Sequence, residues 1–174
     1  MSHVDPELIT ALQAEWTHLL LQGQSRIHHC VRQLSEPQLW WRPGPDQNSI
    51  GIVIRHVAGN LNQWVVHGVT DTAHQRDRSA EFSEPGDRTA TSLLAEFDLV
   101  VAAANSVIAQ LSSADLLQPR TIQGFETTVM GALMHSVPHL VGHTHQIVQL
   151  TRQQLQDAYR FHWNQDAPRN EIPL

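Results

Sequence analysis

"HSVPHLVGHTHQI", residues 135–147, places His135, His139, His143 and His145 within one short segment. Outward from it, no Asp, Glu, Lys or Arg occurs between Glu126 and Arg152, a run long enough to cross a bilayer. Four histidines, several Thr and Gln residues and Pro138 make its hydropathy too poor for that. The run reads instead as a buried helix of a soluble protein, extending from about Thr127 to Tyr159. At about 100° per residue, His135, His139 and His143 advance by only about 40° per step and form one stripe, whereas His145 lies about 200° round from His143. Opposite the stripe run Met130, Leu133, Met134, Val137, Leu140, Val141, Val148 and Leu155, so the helix is expected to be buried on both sides. Gly131, Ala132, Ser136 and Gly142 are small enough to admit a neighbouring helix close to the imidazoles.

Three more helices are predicted around this one. Asp5-Pro6 forms an N-cap and first turn, and Leu8, Leu12, Leu19, Ile27, Val31 and Leu34 carry a first helix to about Leu34. "SEPQLWWRPGPDQNS" breaks it, and Asn48 or Ser49 caps a second helix to about His67. From Val69 to Arg88 the chain is polar and aperiodic and reads as a crossing connection without regular structure. Leu93, Leu94, Phe97, Val101, Ala104, Ile108 and Leu111 mark a third helix from about Thr89 to Leu111. "SSADLLQPRTIQGFET" reads as a second irregular connection. Without a convincing strand pair, the fold class is all-α, a four-helix bundle with long crossing connections. One domain is expected over residues 1–174, its core at about 5–160 and a loosely held tail at 161–174 containing Trp163, Pro168 and Pro173.

Composition removes whole classes of function. The chain has 174 residues, 41% hydrophobic and 16% charged, with twelve histidines. All eleven basic residues are arginines, which excludes lysine Schiff-base chemistry and a lysine phosphate clamp. A formal net charge of −6 argues against a nucleic-acid partner, whose binding rests on neutralising phosphates. The lone Cys30 permits no internal disulfide, and "MSHVDPELIT" lacks the blocks of a signal peptide, so a reducing cytoplasm is expected, with no membrane partner. There is no HExxH, because position 140 is leucine, no GxSxG elbow and no glycine-rich phosphate loop. Cys30 has no adjacent orienting group that would make it a nucleophile.

What remains is histidine. Imidazoles at i and i+4 offer two nitrogens to one divalent ion, and a third ligand has to come from another helix. His56, on a face of the second helix with Ile52, Val53, Asn60 and Gln63 and away from Arg55, is the outstanding candidate. Hydrogen-bonded packing is the competing account of the stripe; for His18, His28, His29, His67, His74, His145 and His162 it is the expected one. Asn60 can orient an imidazole or bond a neighbouring helix. For Arg76, Asp77, Arg78 and Glu81 a surface ion-pair cluster is expected in preference to a cover over the site.

"NSIGIVIRHVAGNLNQW", "RDRSAEF" and "HSVPHLVGHTHQI" together resemble the DinB/YfiT-like superfamily of metal-binding four-helix bundles, in a branch of unknown function. The likeness covers almost the whole chain and includes the Trp41-Arg42-Pro43 loop. It implies a divalent metal, zinc or nickel before iron or manganese, held by His56, His139 and His143, with His135 close by; Asn60, one turn after His56, is placed near the site by helix spacing. The chain departs from the pattern where His145 replaces a glycine and where Pro138 enters the last helix; the proline should kink it and displace His135. The resemblance further implies a homodimer and a small-molecule substrate, with a low-molecular-weight thiol used in a transfer reaction. Metal-assisted hydrolysis is the alternative, and a non-enzymatic, stress-associated dimeric module with a structural metal is the contrasting reading. An open coordination position would favour an enzyme; closure by a fourth protein ligand, such as His135, would favour a structural role.

Overall fold

The structure, a computed structural model, describes residues 6–82 and 88–162; the cap expected at Asp5 and the tail from Trp163 lie outside the described residues. Helix α1 spans Pro6–Val31. It buries Ile9, Trp16, Leu20, Ile27 and Val31, a 7-4-7-4 spacing that keeps one stripe against the core. The break that follows contains a short helix the sequence reading left out, α2 at Glu36–Trp40, started by Ser35 with a proline in its first turn. Helix α3 spans Ile50–Leu61, and Ser49 is its cap, accepting from the Ile52 amide at 3.3 Å. The second helix was expected to stay α-helical to His67; instead it widens into a π-helix over Asn62–Val69, in which hydrogen bonds reach one residue further back.

The 69–88 connection also holds regular structure where none was expected. Helix α4 spans Arg78–Glu81, capped by Asp77, whose carboxylate accepts from the Ala80 amide at 3.0 Å. The Arg55 guanidinium, turned away from the bundle interior, donates to the Ala80 carbonyl and pins this connection to α3. Helix α5 spans Ala90–Gln110 from a Thr89 cap and buries Leu93, Phe97, Val101, Ala104 and Ile108. By length and a mean hydropathy of 1.6, α5 is the described helix apolar enough to cross a membrane, rather than the uncharged histidine run. Its polar ties run to α1: Asp98 accepts from Gln24 and faces His28, both at 2.7 Å. Gln13 donates to the Ile108 and Leu111 carbonyls that the end of α5 leaves open.

The absence of a strand pair is corrected. Strands β1 (Pro119–Ile122) and β2 (Phe125–Thr128) form an antiparallel hairpin with Ile122 opposite Phe125. Its two-residue turn, Gln123 (φ 54°) and Gly124 (φ 79°), has the paired positive φ of the turn that matches strand twist. The hairpin feeds directly into helix α6, Val129–Leu155, started by Thr128 and ended by a 3-10 turn at Gln156–Ala158.

Helices α1, α3, α5 and α6 pack around one contiguous core, with α1 against α5 and α6, and α3 against the same two. Leu133, Val137, Leu140, Ile147, Ala132 and Ser136 bury one side of α6. The other side is open, contrary to the expectation of burial all round: Met134 is 52% exposed, and Met130, His135 and Gly142 are exposed as well. The small residues divide accordingly, Ala132 and Ser136 at the helix contact and Gly142 facing outward. The helix runs unbroken through Pro138, and the carbonyl of Met134 that the proline leaves without its N–H partner belongs to an exposed turn, where water can satisfy it.

Gly51 fixes how α2 meets α3. A Cβ there would stand 2.4 Å from the Trp40 ring, so Gly51→Ala forces the indole out of place. Unfolding in urea should show a loss of about 1–3 kcal/mol, the usual cost of overpacking a core position.

Candidate metal centre

His56 leaves the middle of α3, one turn before Asn60, while His139 and His143 leave successive turns of α6. The packing of these two helices brings the rings together. The Nε2 atom of His139 lies 3.2 Å from Nε2 of His56 and 3.2 Å from Nε2 of His143. Among the described residues these three form the group of metal-ligating type, with ligand atoms all within 4.8 Å of one another.

Two of the rings have their tautomers set from behind. His56 Nδ1 faces Glu81 Oε2 at 3.2 Å and therefore donates to the carboxylate. His143 Nδ1 faces Gln146 Oε1 at 2.8 Å and donates likewise. Both leave an Nε2 lone pair aimed at His139, whose own Nε2 can donate to only one of them. Its Nδ1 is buried without a hydrogen-bond partner. Converging lone pairs repel unless a cation lies among them, and a tetrahedral ion with metal–nitrogen bonds of about 2.0–2.1 Å needs nitrogens about 3.3 Å apart. The residues present fit a divalent metal.

Burial, then the neighbouring His143 and His56 rings, hold the His139 imidazole down at about 4, and burial also depresses His143, with the Gln146 hydrogen bond opposing. Both are thus neutral near pH 7, the form that binds a metal.

The carboxylate behind His56 is itself locked. Arg76 donates through Nε to Glu81 Oε1 at 2.5 Å and through Nη2 to Oε2 at 2.6 Å, a bidentate pair, and Nη2 also reaches the His56 carbonyl at 3.1 Å. Burial pushes the Glu81 carboxyl up, but the bonds to His56 and Arg76 outweigh it and the net direction is down. This corrects the reading of Arg76 and Glu81 as a surface cluster: their side chains are 5% and 10% exposed and pack behind a ligand. Gly59 makes the room, since a Cβ there would lie 2.1 Å from Glu81 Oε1 and 2.9 Å from Arg76 Nε. Asp77 and Arg78 do stay at the surface.

Asn60 bonds the neighbouring helix. Its Oδ1 accepts from the buried Ser136 hydroxyl at 2.7 Å, tying α3 to α6, and its Nδ2 lies 3.4 Å from His135 Nε2. His135 stands apart from the three converging rings and does not close them off. Its ring packs at a tilt of 34° on Trp64, centroids 4.0 Å apart, and lies 5.9 Å from that of His139. His145 is on the exposed side near Arg26, and His28, His29, His67 and His162 make local contacts with Asp98, Arg160, Thr72 and Ser25. One side of the cluster opens into a cleft of about 450 Å³, reached by His56 and His139 and walled by Trp64 of the π-helix and Phe125 of the hairpin.

The sequence reading missed that wall together with Glu81 and Arg76. The Gln123-Gly124 pair between Thr121-Ile122 and Phe125-Glu126 was the available hairpin signal. For Glu81 the available signal is R-D-x-x-x-E-F, whose glutamate is buried rather than at the surface.

Residues 9–164 match the model of a family described as a protein of unknown function, DUF1572. The chain belongs to the DUF1572 family. Two solved structures share the fold of this DUF1572 protein. A DinB-like protein from Bacillus cereus ATCC 10987 is 18% identical, with a TM-score of 0.64 over 81% of this chain and 89% of that one. A DinB-like protein from Bacillus subtilis, YjoA, is 13% identical, with a TM-score of 0.63 over 84% of this chain and 96% of that one. No curated protein matches the chain.

Replacing Glu81 with Gln keeps the shape and removes the charge behind His56. Zinc affinity, measured by competition with a chromophoric chelator, should fall by about 10- to 100-fold while the circular dichroism spectrum holds. A pH dependence of stability follows from His139. Its folded value of about 4 is below the ordinary 6.5, so the unfolded chain takes up protons first. Metal-free protein should hold its full stability above 6.5 and lose it progressively as pH falls from there towards 4, with no further loss from this group below that; urea midpoints across the range read it.

Proposed function

We propose that this DUF1572 protein is a divalent-metal-dependent enzyme that uses His56, His139 and His143 to hold zinc or nickel, with iron or manganese as less fitting occupants. The observation that carries the reading is the joining of three inward Nε2 atoms to an open cleft, with His135 turned aside onto Trp64 rather than supplying a fourth ligand. A closed structural site would have that fourth ligand. A divalent ion held by His56, His139 and His143 would supply Lewis acidity toward a small thiol or a water.

The chain's own residues supply position and exclusion. Glu81 fixes the tautomer of His56, Gln146 that of His143, and the Asn60–Ser136 bond sets the spacing between the helices that carry them. Phe82, its ring 5.3 Å from that of His56, shields the Glu81 side, so reactants enter from the hairpin side. The open cleft has room for a small molecule; transfer to or from a low-molecular-weight thiol is the reaction the DinB-like resemblance implies, and metal-assisted hydrolysis is the second use of the same geometry. The proposal includes a homodimer, for which Leu99, 73% exposed on α5, is apolar surface a second copy would cover, and a cytoplasmic setting consistent with a buried, unpaired Cys30.

Metal analysis of the purified protein beside His56→Ala and His143→Ala is the test. The expected result is one divalent ion per chain in the parent, loss of it in both variants, and retained helical circular dichroism. With cobalt in the site, 2-mercaptoethanol should add a sulfur-to-cobalt charge-transfer band. Variants that unfold would favour a structural metal, and a parent that binds no divalent ion would overturn the reading.

A further inference from the structure

The cleft has a feature that metal binding leaves unused. Trp64 and Phe125 meet along one wall of it, ring centroids 6.5 Å apart and planes 30° from parallel. Trp64 packs against the His135 ring and is only 6% exposed, whereas Phe125 is 64% exposed and offers apolar ring surface to the cleft. Arg78 reaches the same cleft from α4. Its guanidinium lies 5.9 Å from the centroid of the Phe82 ring, which holds it in place without neutralising it.

Of the other charges lining the cleft, Arg76 is paired with Glu81, while Glu126 on the hairpin rim is exposed and keeps its charge, accepting from the Thr121 hydroxyl at 2.8 Å. Among the described residues, no carboxylate forms an ion pair with Arg78. A ligand with a flat apolar body and an anionic end would satisfy both features at once, covering Phe125 against Trp64 and pairing with the guanidinium.

We infer that the cleft selects a small aryl or similarly flat carboxylate-type anion, its body packed on the wall that Phe125 forms with Trp64 and its charge held by Arg78. This builds on the metal-centre reading, since it assigns the substrate class of the same cleft. Arg78 is a specificity-determining residue here, at the surface and outside the ligand set.

Three probes with one body and different ends test it: 3-phenylpropionate, 3-phenylpropan-1-ol and 3-phenylpropylamine. Each is titrated into the protein with and without one equivalent of zinc, following tryptophan fluorescence. The carboxylate should bind about fivefold more tightly than the alcohol, the scale of an exposed charge contact, and the amine more weakly than either. Arg78→Gln should abolish the preference for the carboxylate while leaving the alcohol's affinity unchanged, and Phe125→Ala should weaken all three. A preference seen only with zinc would place the carboxylate on the metal and overturn the assignment to Arg78. So would a preference for the amine, a preference that survives Arg78→Gln, or the absence of any preference. Failure of the metal-centre reading shows separately, as absence of zinc binding, and leaves the zinc-free comparison to decide this proposal.

Discussion

Three imidazoles cannot be pressed together in a protein interior without something to absorb their lone pairs. Protonation is the cheap answer in water, but each charge gained would be buried beside two other rings and Arg76, and it is this cost that depresses His139 so far. The bundle therefore keeps His139 and His143 neutral near pH 7, with lone pairs available to a cation. The surrounding structure serves that constraint. The Asn60–Ser136 bond keeps α3 and α6 at the distance where the rings meet, and the uncharged face of α6 keeps competing carboxylates away from them.

The charge that does enter comes from outside the bundle helices. Glu81 sits on a four-residue helix inside a crossing connection, and it arrives already paired with Arg76. A carboxylate alone would be costly to bury and would draw a proton onto His56; one carrying a bidentate guanidinium can accept the Nδ1 hydrogen bond while its charge stays balanced. The glycine at position 59 belongs to this arrangement, because any side chain there would occupy the space of the carboxylate itself.

The bundle and the meeting of three histidines were legible because both rest on helical periodicity. Apolar residues recurring along α1 and α5, and His139 and His143 one turn apart on an uncharged helix, are patterns that a 3.6-residue repeat turns directly into geometry. The partners of the cluster were not legible, because Glu81 and Arg76 lie in a polar, aperiodic segment where burial has no sequence signature. Only tertiary contact with Gly59 and Arg55 makes that stretch an interior one. The hairpin was overlooked for a different reason. Its strands are only four residues long, and a Gln-Gly turn is a weaker signal than Asn-Gly or Asp-Gly. Burial of α6 on both sides was over-read from the lack of charge alone: an uncharged face can also line a cleft.

That distinction bears on how the site is built. Helix α4 is too short to be stable by itself and is held by three attachments to α3: Arg55 to the Ala80 carbonyl, Arg76 to the His56 carbonyl, and Glu81 to the His56 ring. Two of the three end on the residue proposed as a metal ligand. The placement of the connection and the orientation of His56 therefore rest on the same contacts. Arg78 rides on the same short helix, so the group that would grip an anionic ligand is positioned through the same contacts. The carboxylate behind His56 and the guanidinium that would grip an anion are thus placed by one handful of hydrogen bonds between this connection and α3.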